Sequence, residues 1–220
     1  DWPFFAEKEI LYYGQAILGI TGPELAVCES LCAQVKVSYT LIDSVSDIED
    51  SKDCFNDYRI IKGDPDKAFS ESAKIIENSY KTGIQEQAYM EPQGMIARYE
   101  NDKLTIEGSL QCPYYIKNSL INAFNFESDR VRVIQTTTGG AFGGKEDYPS
   151  IIAAHAAAAA MVSGKTVKII LDRRNDMTIT PKRHPSLIKI KTALDDENNI
   201  IGMDIDCKLD AGAYESLSGV

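Results

Sequence analysis

An α+β fold, with mixed sheets and helices packed on them, is the architecture this 220-residue sequence predicts, and three stretches carry the expectation. SLIKIKTALDDENNIIGMDIDCKL reads as a hairpin: Ile188, Ile190, Thr192 and Leu194 alternate on one arm, and Ile201, Met203, Ile205, Cys207 and Leu209 on the other. Residues 70 to 106 hold two or three strand candidates, with KLTIEGSLQ, 103 to 111, the clearest. DYPSIIAAHAAAAAMVSG has the highest helix propensity in the chain.

In chain order, EILYYGQAILGI, 9 to 20, has the Ile, Leu and Tyr content of a strand with a turn-permitting Gly14. Pro23 then sits where a first helical residue would, and Leu25, Cys28, Leu31, Cys32 and Val35 recur at helical spacing. VKVSYTLI, 35 to 42, alternates as a half-buried strand should. Together these segments predict a small strand, helix, strand unit. Between Asp43 and Lys67 the composition shifts to Asp, Ser, Lys and Asn, ending in the turn-like KGDPDKAF. That shift places a boundary around residues 50 to 70 and divides the chain into domains 1–60 and 61–220.

Farther on, Leu120, Ala123 and Phe124 share a face and predict a short helix over 119 to 126, followed by the strand VRVIQTT, 131 to 137. The long helix takes Asp147 as its N-cap, Pro149 in its first turn and Gly164 as its stop. Its alanine run suits close approach to a sheet. His155, with no second histidine nearby in sequence, reads as a buried or half-buried helix residue rather than a metal ligand.

Composition narrows the function classes. A hydrophobic content of 44% is enough for a real core. Lys and Arg number 23 against 33 Asp and Glu, and a net charge of -10 opposes the phosphate attraction behind nonspecific nucleic-acid binding. Nucleic acid is not an expected partner. No apolar run has the length of a membrane span, and DWPFFAEKEI lacks the basic start and apolar core of a signal peptide, so a soluble cytoplasmic protein without membrane partners is expected. Five cysteines, odd in number and scattered, predict free thiols. Cys28 and Cys32 share a helix face, and core packing is the expectation there, because two histidines in the chain leave a metal without partners. The chain opens without Met on a hydrophobic cluster, Trp2, Phe4 and Phe5, which points to a fragment.

VRVIQTTTGGAFGGKEDYPSII, 131 to 152, reads as strand, glycine cluster, helix. Gly139, Gly144 and Lys145 fall at P-loop spacing, but the next position needs Ser or Thr and holds Glu146, followed by Asp147. Two carboxylates at a helix start repel a triphosphate held there. The dinucleotide fingerprint fails as well, since Ala141 and Phe142 stand where a second glycine is required. What remains is four glycines around Phe142. They let the backbone approach a ligand and present N–H groups to oxygens, while Phe142 offers a face to a flat molecule and Glu146 turns toward the same space. Recognition of a planar, polar, heteroaromatic ligand beside an oxygen-rich cofactor fits this set, and a bare strand-to-helix turn is the competing account.

GGAFGGKE resembles the GG-x-FGGKE signature of the molybdenum-binding subunit of the xanthine dehydrogenase and aldehyde oxidoreductase family of molybdenum hydroxylases. Along almost the whole chain other stretches are similar too. FAEKEILYYGQAILGITGPELAVCESLCAQVKVSYTLI looks like the later part of the family's αβ-hammerhead domain, and KGDPDKAF like its connector. QEQAYMEPQGMIA resembles its QE-H-x-Y-x-E-P segment, and LDRRNDMTITPKRHP its DR-x-ED-M-x-x-T-x-x-RHP stretch. Gln87 in place of the family's common His, Ala141 in place of a frequent glycine, and Cys112 with Pro113 after Gln111 depart from the pattern.

The resemblance implies the C-terminal part of an αβ-hammerhead domain followed by the first half of a molybdopterin-binding domain. It implies molybdenum on molybdopterin, shared with segments this sequence does not contain, with 2Fe-2S centres and FAD on partner domains or subunits. Gln111 matches the glutamine that hydrogen-bonds an oxo group, Gly140, Phe142 and Gly143 line the cofactor, and Glu146 matches the carboxylate that orients the purine in xanthine-oxidising members. Gln111 and Glu146 are thus the catalytic candidates, with Gln111, Gly140, Phe142 and Gly143 for the cofactor. The family's glutamate base belongs to a later segment, so the chain is expected to form one wall of the site, to be inactive alone and to need the remaining molybdopterin segment or subunit. Hydroxylation of purines or related small N-heterocycles with oxygen from water is the implied reaction. Aldehyde or nicotinate-type oxidation is the alternative within enzymes, and a noncatalytic assembly module that retains the fold is the alternative outside them.

Overall fold

The computed structural model describes residues 2–218. The chain divides into two compact units: one takes residues up to Thr40 together with Glu86–Lys182, the other Leu41–Gln85 together with the chain from Arg183. Helices together with one mixed and one antiparallel sheet give the α+β class expected.

In the first unit, helix α1 (Leu25–Cys32) is followed, after the excursion through the second unit, by strands β2 (Gly94–Glu100) and β3 (Lys103–Gly108), helix α3 (Pro113–Phe124), β4 (Val131–Gln135), α4 (Pro149–Ser163), β5 (Val167–Ile170) and α5 (Arg173–Ile179). The excursion carries α2 (Pro65–Ser70) and β1 (Lys74–Thr82). The sheet order is β4-β3-β2-β5, with β3 and β4 parallel and the other neighbours antiparallel. The parallel pair follows from α3, which supplies the crossover that joins strands running the same way. Met95 and Ala97 on β2, and Leu104 and Ile106 on β3, alternate inward to make the floor of the core.

The core is roofed by α4, whose Ala153, Ala154, Ala156, Ala157 and Ala160 are buried, so its backbone lies close to the sheet and to α3. Its limits follow the expected chemistry, with Pro149 in the first turn and Gly164 closing it at φ 64. Tyr148 rather than Asp147 stands at the N-cap position, and Asp147 Oδ1 accepts the Tyr148 N–H at 2.7 Å from one residue further out. His155 is half-buried on this helix with Nε2 on the Phe4 carbonyl.

Three local expectations are corrected. Residues 9–20 and 35–42 form no strands, because a strand is held by its ladder and neither segment has a ladder partner among the described residues. Instead 9–20 turns at Gly14 (φ 88), where Gln15 Oε1 accepts the Leu11 N–H at 2.7 Å. α3 starts at Pro113, six residues before the expected 119, since Pro113 supplies a preformed N1 and Ile116 and Leu120 bury together. Cys28 is only half-buried and Cys32 exposed, as α1 buries no residue.

The second unit holds a three-stranded antiparallel sheet of order β1-β6-β7, completed by β6 (Ser186–Leu194) and β7 (Ile200–Leu209). The hairpin is as expected, with Asp195 in the turn accepting the Asn199 N–H at 2.8 Å. α2 packs on β7, where Gly202 leaves room for Ala68 and Phe69.

Candidate functional site

The site is built where β3 ends and α4 begins. β3 delivers Ser109 and Gln111 to the loop before α3, and the glycine loop runs from β4 to α4 beside them. Gln111 Oε1 accepts the N–H groups of Gly143 at 3.1 Å and Lys145 at 3.2 Å, while its own N–H donates to the Lys145 carbonyl at 2.7 Å. The side-chain Nε2 of Gln111 has no hydrogen-bond partner among the described residues. It is a donor whose orientation is set by the two N–H groups on Oε1.

Phe142 is 78% exposed and sits at φ 51, in the left-handed region that costs a residue with a Cβ about 1–2 kcal/mol. Gly143 beside it has φ 88, and a Cβ added there would meet nothing within 4 Å, so conformation alone demands glycine at this position. Gly140, at φ 96, lies between Tyr89 and the Phe142 ring. Glu146 is half-buried, and its charge, after burial and together with that of Asp147, raises the Cys112 thiol above its ordinary value. That coupling puts the Glu146 carboxylate within electrostatic reach of the residue next to Gln111. Gln111 is thus tied directly to Gly143, and Gly140 neighbours the Phe142 ring, while Glu146 is linked to this group only through its charge on Cys112.

Lys145, the P-loop-like lysine, is 0% exposed and already engaged. Its ammonium lies 3.0 Å from Glu91 Oε2 and 2.9 Å from Ser109 Oγ, over the Tyr89 ring. A phosphate has no access to it. Glu91 Oε2 also accepts the Gly139 N–H at 2.8 Å. Partial burial opposes ionisation of Glu91, yet hydrogen bonds from Ser109 and Gly139 and the Lys145 ammonium outweigh it and hold the carboxyl down at about 2. With a folded value below the ordinary 4.5, this group stabilises the loop fully above about 4.5 and loses that contribution as pH falls toward 2. The protection factors of amides 139–145, with the intrinsic pH dependence of exchange divided out, are therefore expected to stay level from pH 8 to 5 and to fall below 4.5; a loop equally protected at pH 3 would contradict the assignment.

Beneath the loop lies a second set of residues. Tyr89 OH donates to Asp176 Oδ1 at 3.1 Å, and the Gln93 N–H donates to the same oxygen at 3.0 Å. Gln93 Nε2 donates to the Tyr89 hydroxyl at 3.1 Å and to the Gly144 carbonyl at 2.8 Å. Arg173 Nη1 pairs with Asp176 Oδ2 at 3.2 Å and its Nη2 donates to the Met90 carbonyl at 2.6 Å. Burial, with the Asp176 charge adding to it, pushes the Tyr89 phenol up to about 12, so it remains a donor across the working pH range. Sequence reasoning passed over Tyr89, Glu91, Gln93, Arg173 and Asp176. Their signal was present as polar residues packed around Pro92 in YMEPQG and as Asp172 ahead of a short polar helix.

The wall offers hydrogen bonds and an aromatic face, and among the described residues no group of His, Cys, Asp and Glu could hold a metal directly. A metal that brings its own organic ligand, with oxygens facing Gln111 Nε2, fits these residues. Among the described residues no helix is long and apolar enough to cross a membrane.

Residues 48–220 match the family described as Molybdopterin cofactor-binding domain. A xanthine dehydrogenase of Blastobotrys adeninivorans is 33% identical over 216 residues, covering 96% of this chain and 15% of that protein. The nicotinate dehydrogenase large molybdopterin subunit of Eubacterium barkeri is 27% identical over 228 residues, covering 98% of this chain and 53% of that subunit. The crystal structure of the aldehyde oxidoreductase from Desulfovibrio desulfuricans shares the fold, with a TM-score of 0.81 over 94% of this chain and 24% of that one, at 18% identity. This chain thus spans 15% of the first relative's length and 53% of the second's. A family match over residues 48–220, a relative 33% identical over 96% of the chain and a shared fold agree: the chain belongs to the molybdopterin cofactor-binding domain family of the molybdenum hydroxylases.

Proposed function

We propose that this chain supplies one wall of the molybdenum site of an oxidoreductase that hydroxylates purines or related N-heterocycles with oxygen from water. The observation that carries the reading is the divided amide of Gln111: its oxygen is taken by two loop N–H groups, at 3.1 and 3.2 Å, and its nitrogen is left as a directed donor. When bound, the molybdenum cofactor supplies the redox centre of the hydroxylation. Gln111 Nε2 holds an oxygen of that group, Gly140 and Gly143 let the backbone pass close to it, and Phe142 presents its ring to a flat substrate. Glu146 accepts a hydrogen bond from a ring N–H, which purines carry and simple aldehydes lack, and balances positive charge on the ring.

On the same reading residues 1–60 are the later part of an αβ-hammerhead domain and 61–220 the first half of the molybdopterin-binding domain. The remaining molybdopterin segment or subunit completes the site, and electrons leave through 2Fe-2S and FAD partners. The nicotinate dehydrogenase relative supports a nicotinate-type heterocycle as the second candidate substrate.

The test is molybdenum content and turnover of the assembled full-length protein, unaltered and as Glu146→Ala. Removal of the carboxylate is expected to cut purine kcat/KM about 100- to 1000-fold, the usual effect of deleting a charge-stabilising group, with aldehyde turnover little changed. Equal losses on both substrates would sink the purine assignment. A protein without molybdenum would sink the catalytic reading in favour of an assembly module.

A further inference from the structure

We infer that Glu91 and Lys145 are positioning residues that clasp the glycine loop shut and so set the geometry between Gln111 and Phe142. The inference rests on reading this loop as a wall of the substrate and cofactor site, and it names what holds that wall in place.

A single carboxylate oxygen does the closing. Glu91 Oε2 takes the Gly139 N–H at 2.8 Å and the Lys145 ammonium at 3.0 Å, and these residues are the two ends of the loop. The Glu91 N–H adds a bond to the Gly139 carbonyl at 3.2 Å, so the first end is held twice. The second end is held from both sides of its own residue. Lys145 grips Gln111 through its backbone, donating at 3.2 Å to Oε1 and accepting at 2.7 Å from the Gln111 N–H, while its side chain reaches Glu91 and, at 2.9 Å, Ser109. Ser109 lies two residues before Gln111, so the clasp is tied to the same strand end that delivers the glutamine.

The loop needs such a device. Phe142 at φ 51 and Gly143 at φ 88 occupy left-handed backbone, and Phe142 is largely exposed, without packing of its own to hold that conformation. Strained backbone persists where its surroundings over-determine it. Here the loop's two ends are fixed by the clasp, and the bonds of Gly143 to Gln111 and of Gly144 to Gln93 hold the stretch between them. Opening the clasp would let Phe142 relax, carry the Gly143 N–H away from Gln111 Oε1 and free the glutamine amide to rotate. Lys145, in the place of a phosphate-binding lysine, thus acts inward: its positive charge is spent on shaping the loop.

The experiment uses the full-length protein assembled with its cofactor and partners. The paired variant Glu91→Gln/Lys145→Met removes both charges together, so neither stays buried without its counterpart. Hydrogen exchange of peptides covering 136–148 is compared with that of peptides from α4, and kcat and KM are measured on the same samples. Loop amides are expected to exchange on the order of tenfold faster with α4 unchanged, as local opening does. The expected kinetic signature is a kcat about 100-fold lower with molybdenum content and KM near those of the parent, the scale of a small misplacement at a reacting centre. Unchanged loop exchange overturns the clasp. Faster exchange with an unchanged kcat overturns its positioning role. If the paired variant does not fold, Ser109→Ala reads the same clasp through its third member, and a loop no faster than the parent's there overturns the inference equally. Should the unaltered protein oxidise neither purines nor aldehydes, the proposed function fails by itself, while the exchange comparison still decides the clasp.

Discussion

Asp176→Ala is expected to lower the stability of its unit by about 3–5 kcal/mol, the range for removing one member of a buried, hydrogen-bonded charge pair. Asp176 is 0% exposed and is the acceptor for the Gln93 N–H, the Tyr89 hydroxyl and the Arg173 guanidinium. Deleting it leaves the first two buried without an acceptor, each at about 1–3 kcal/mol. Arg173, partly exposed, can turn to water and softens the loss. Asp176→Asn keeps an acceptor oxygen and forfeits only the ion pair, so about half the effect is expected. Asp172→Ala is the internal comparison, since that side chain caps α5 through the Asn175 N–H at 2.7 Å from an exposed position, worth about 1 kcal/mol. The urea midpoint at constant slope measures all three. An Asp176→Ala midpoint no lower than that of Asp172→Ala would show that the buried network does not hold the loop.

Gly144→Ala should do its damage at the site. A Cβ there would stand 2.5 Å from Tyr89 Cε1 and 3.2 Å from the Ala141 carbonyl. Tyr89 cannot swing aside, because its hydroxyl is held by Asp176 and Gln93. The loop must move instead, at a cost of about 1–3 kcal/mol as an overpacked position. Gly144 is flanked by Gly143 and Lys145, the two donors to Gln111 Oε1, so that shift misaligns the wall and should lower kcat about 100-fold. Gly143→Ala differs in kind: space is open around it, and the expected cost is only the left-handed backbone, about 1–2 kcal/mol. A Gly144→Ala protein with parental stability and turnover would mean that Tyr89 is free to yield.

The sequence was legible where local pattern and tertiary packing agree. Alternation over 103–111 and across the 186–209 hairpin survives as β3, β6 and β7, since each has a partner strand. The alanine helix keeps its proline start and glycine stop. Alternation misled at 35–42, where the pattern is present and no strand pairs with it among the described residues. α5 was missed because RRNDMTI has no apolar stripe; its reason to be helical is the Asp172 cap and the burial of Asp176, a tertiary fact. The parallel pairing of β3 with β4 has no local signal either. At the site, the glycines and Gln111 could be picked out by type and motif, whereas the partners that hold them are spread from Tyr89 to Asp176 and become neighbours only on folding.

The strand order β1-β6-β7 also sets a timetable. As the chain leaves the ribosome, β1 ends at Thr82, and its neighbour β6 begins only at Ser186. At roughly 5–20 residues per second the first strand waits on the order of ten seconds for its partner. The material made in that interval is Glu86–Lys182, which carries both sheet edges and helices of the glycine-loop core. During synthesis the core that bears the loop can therefore be complete while β1, with Ile75, Ile76 and Tyr80 uncovered, is still a lone edge open to mispairing. A chaperone that shields this one strand would be most useful in that window and of least use once β6 has paired with it.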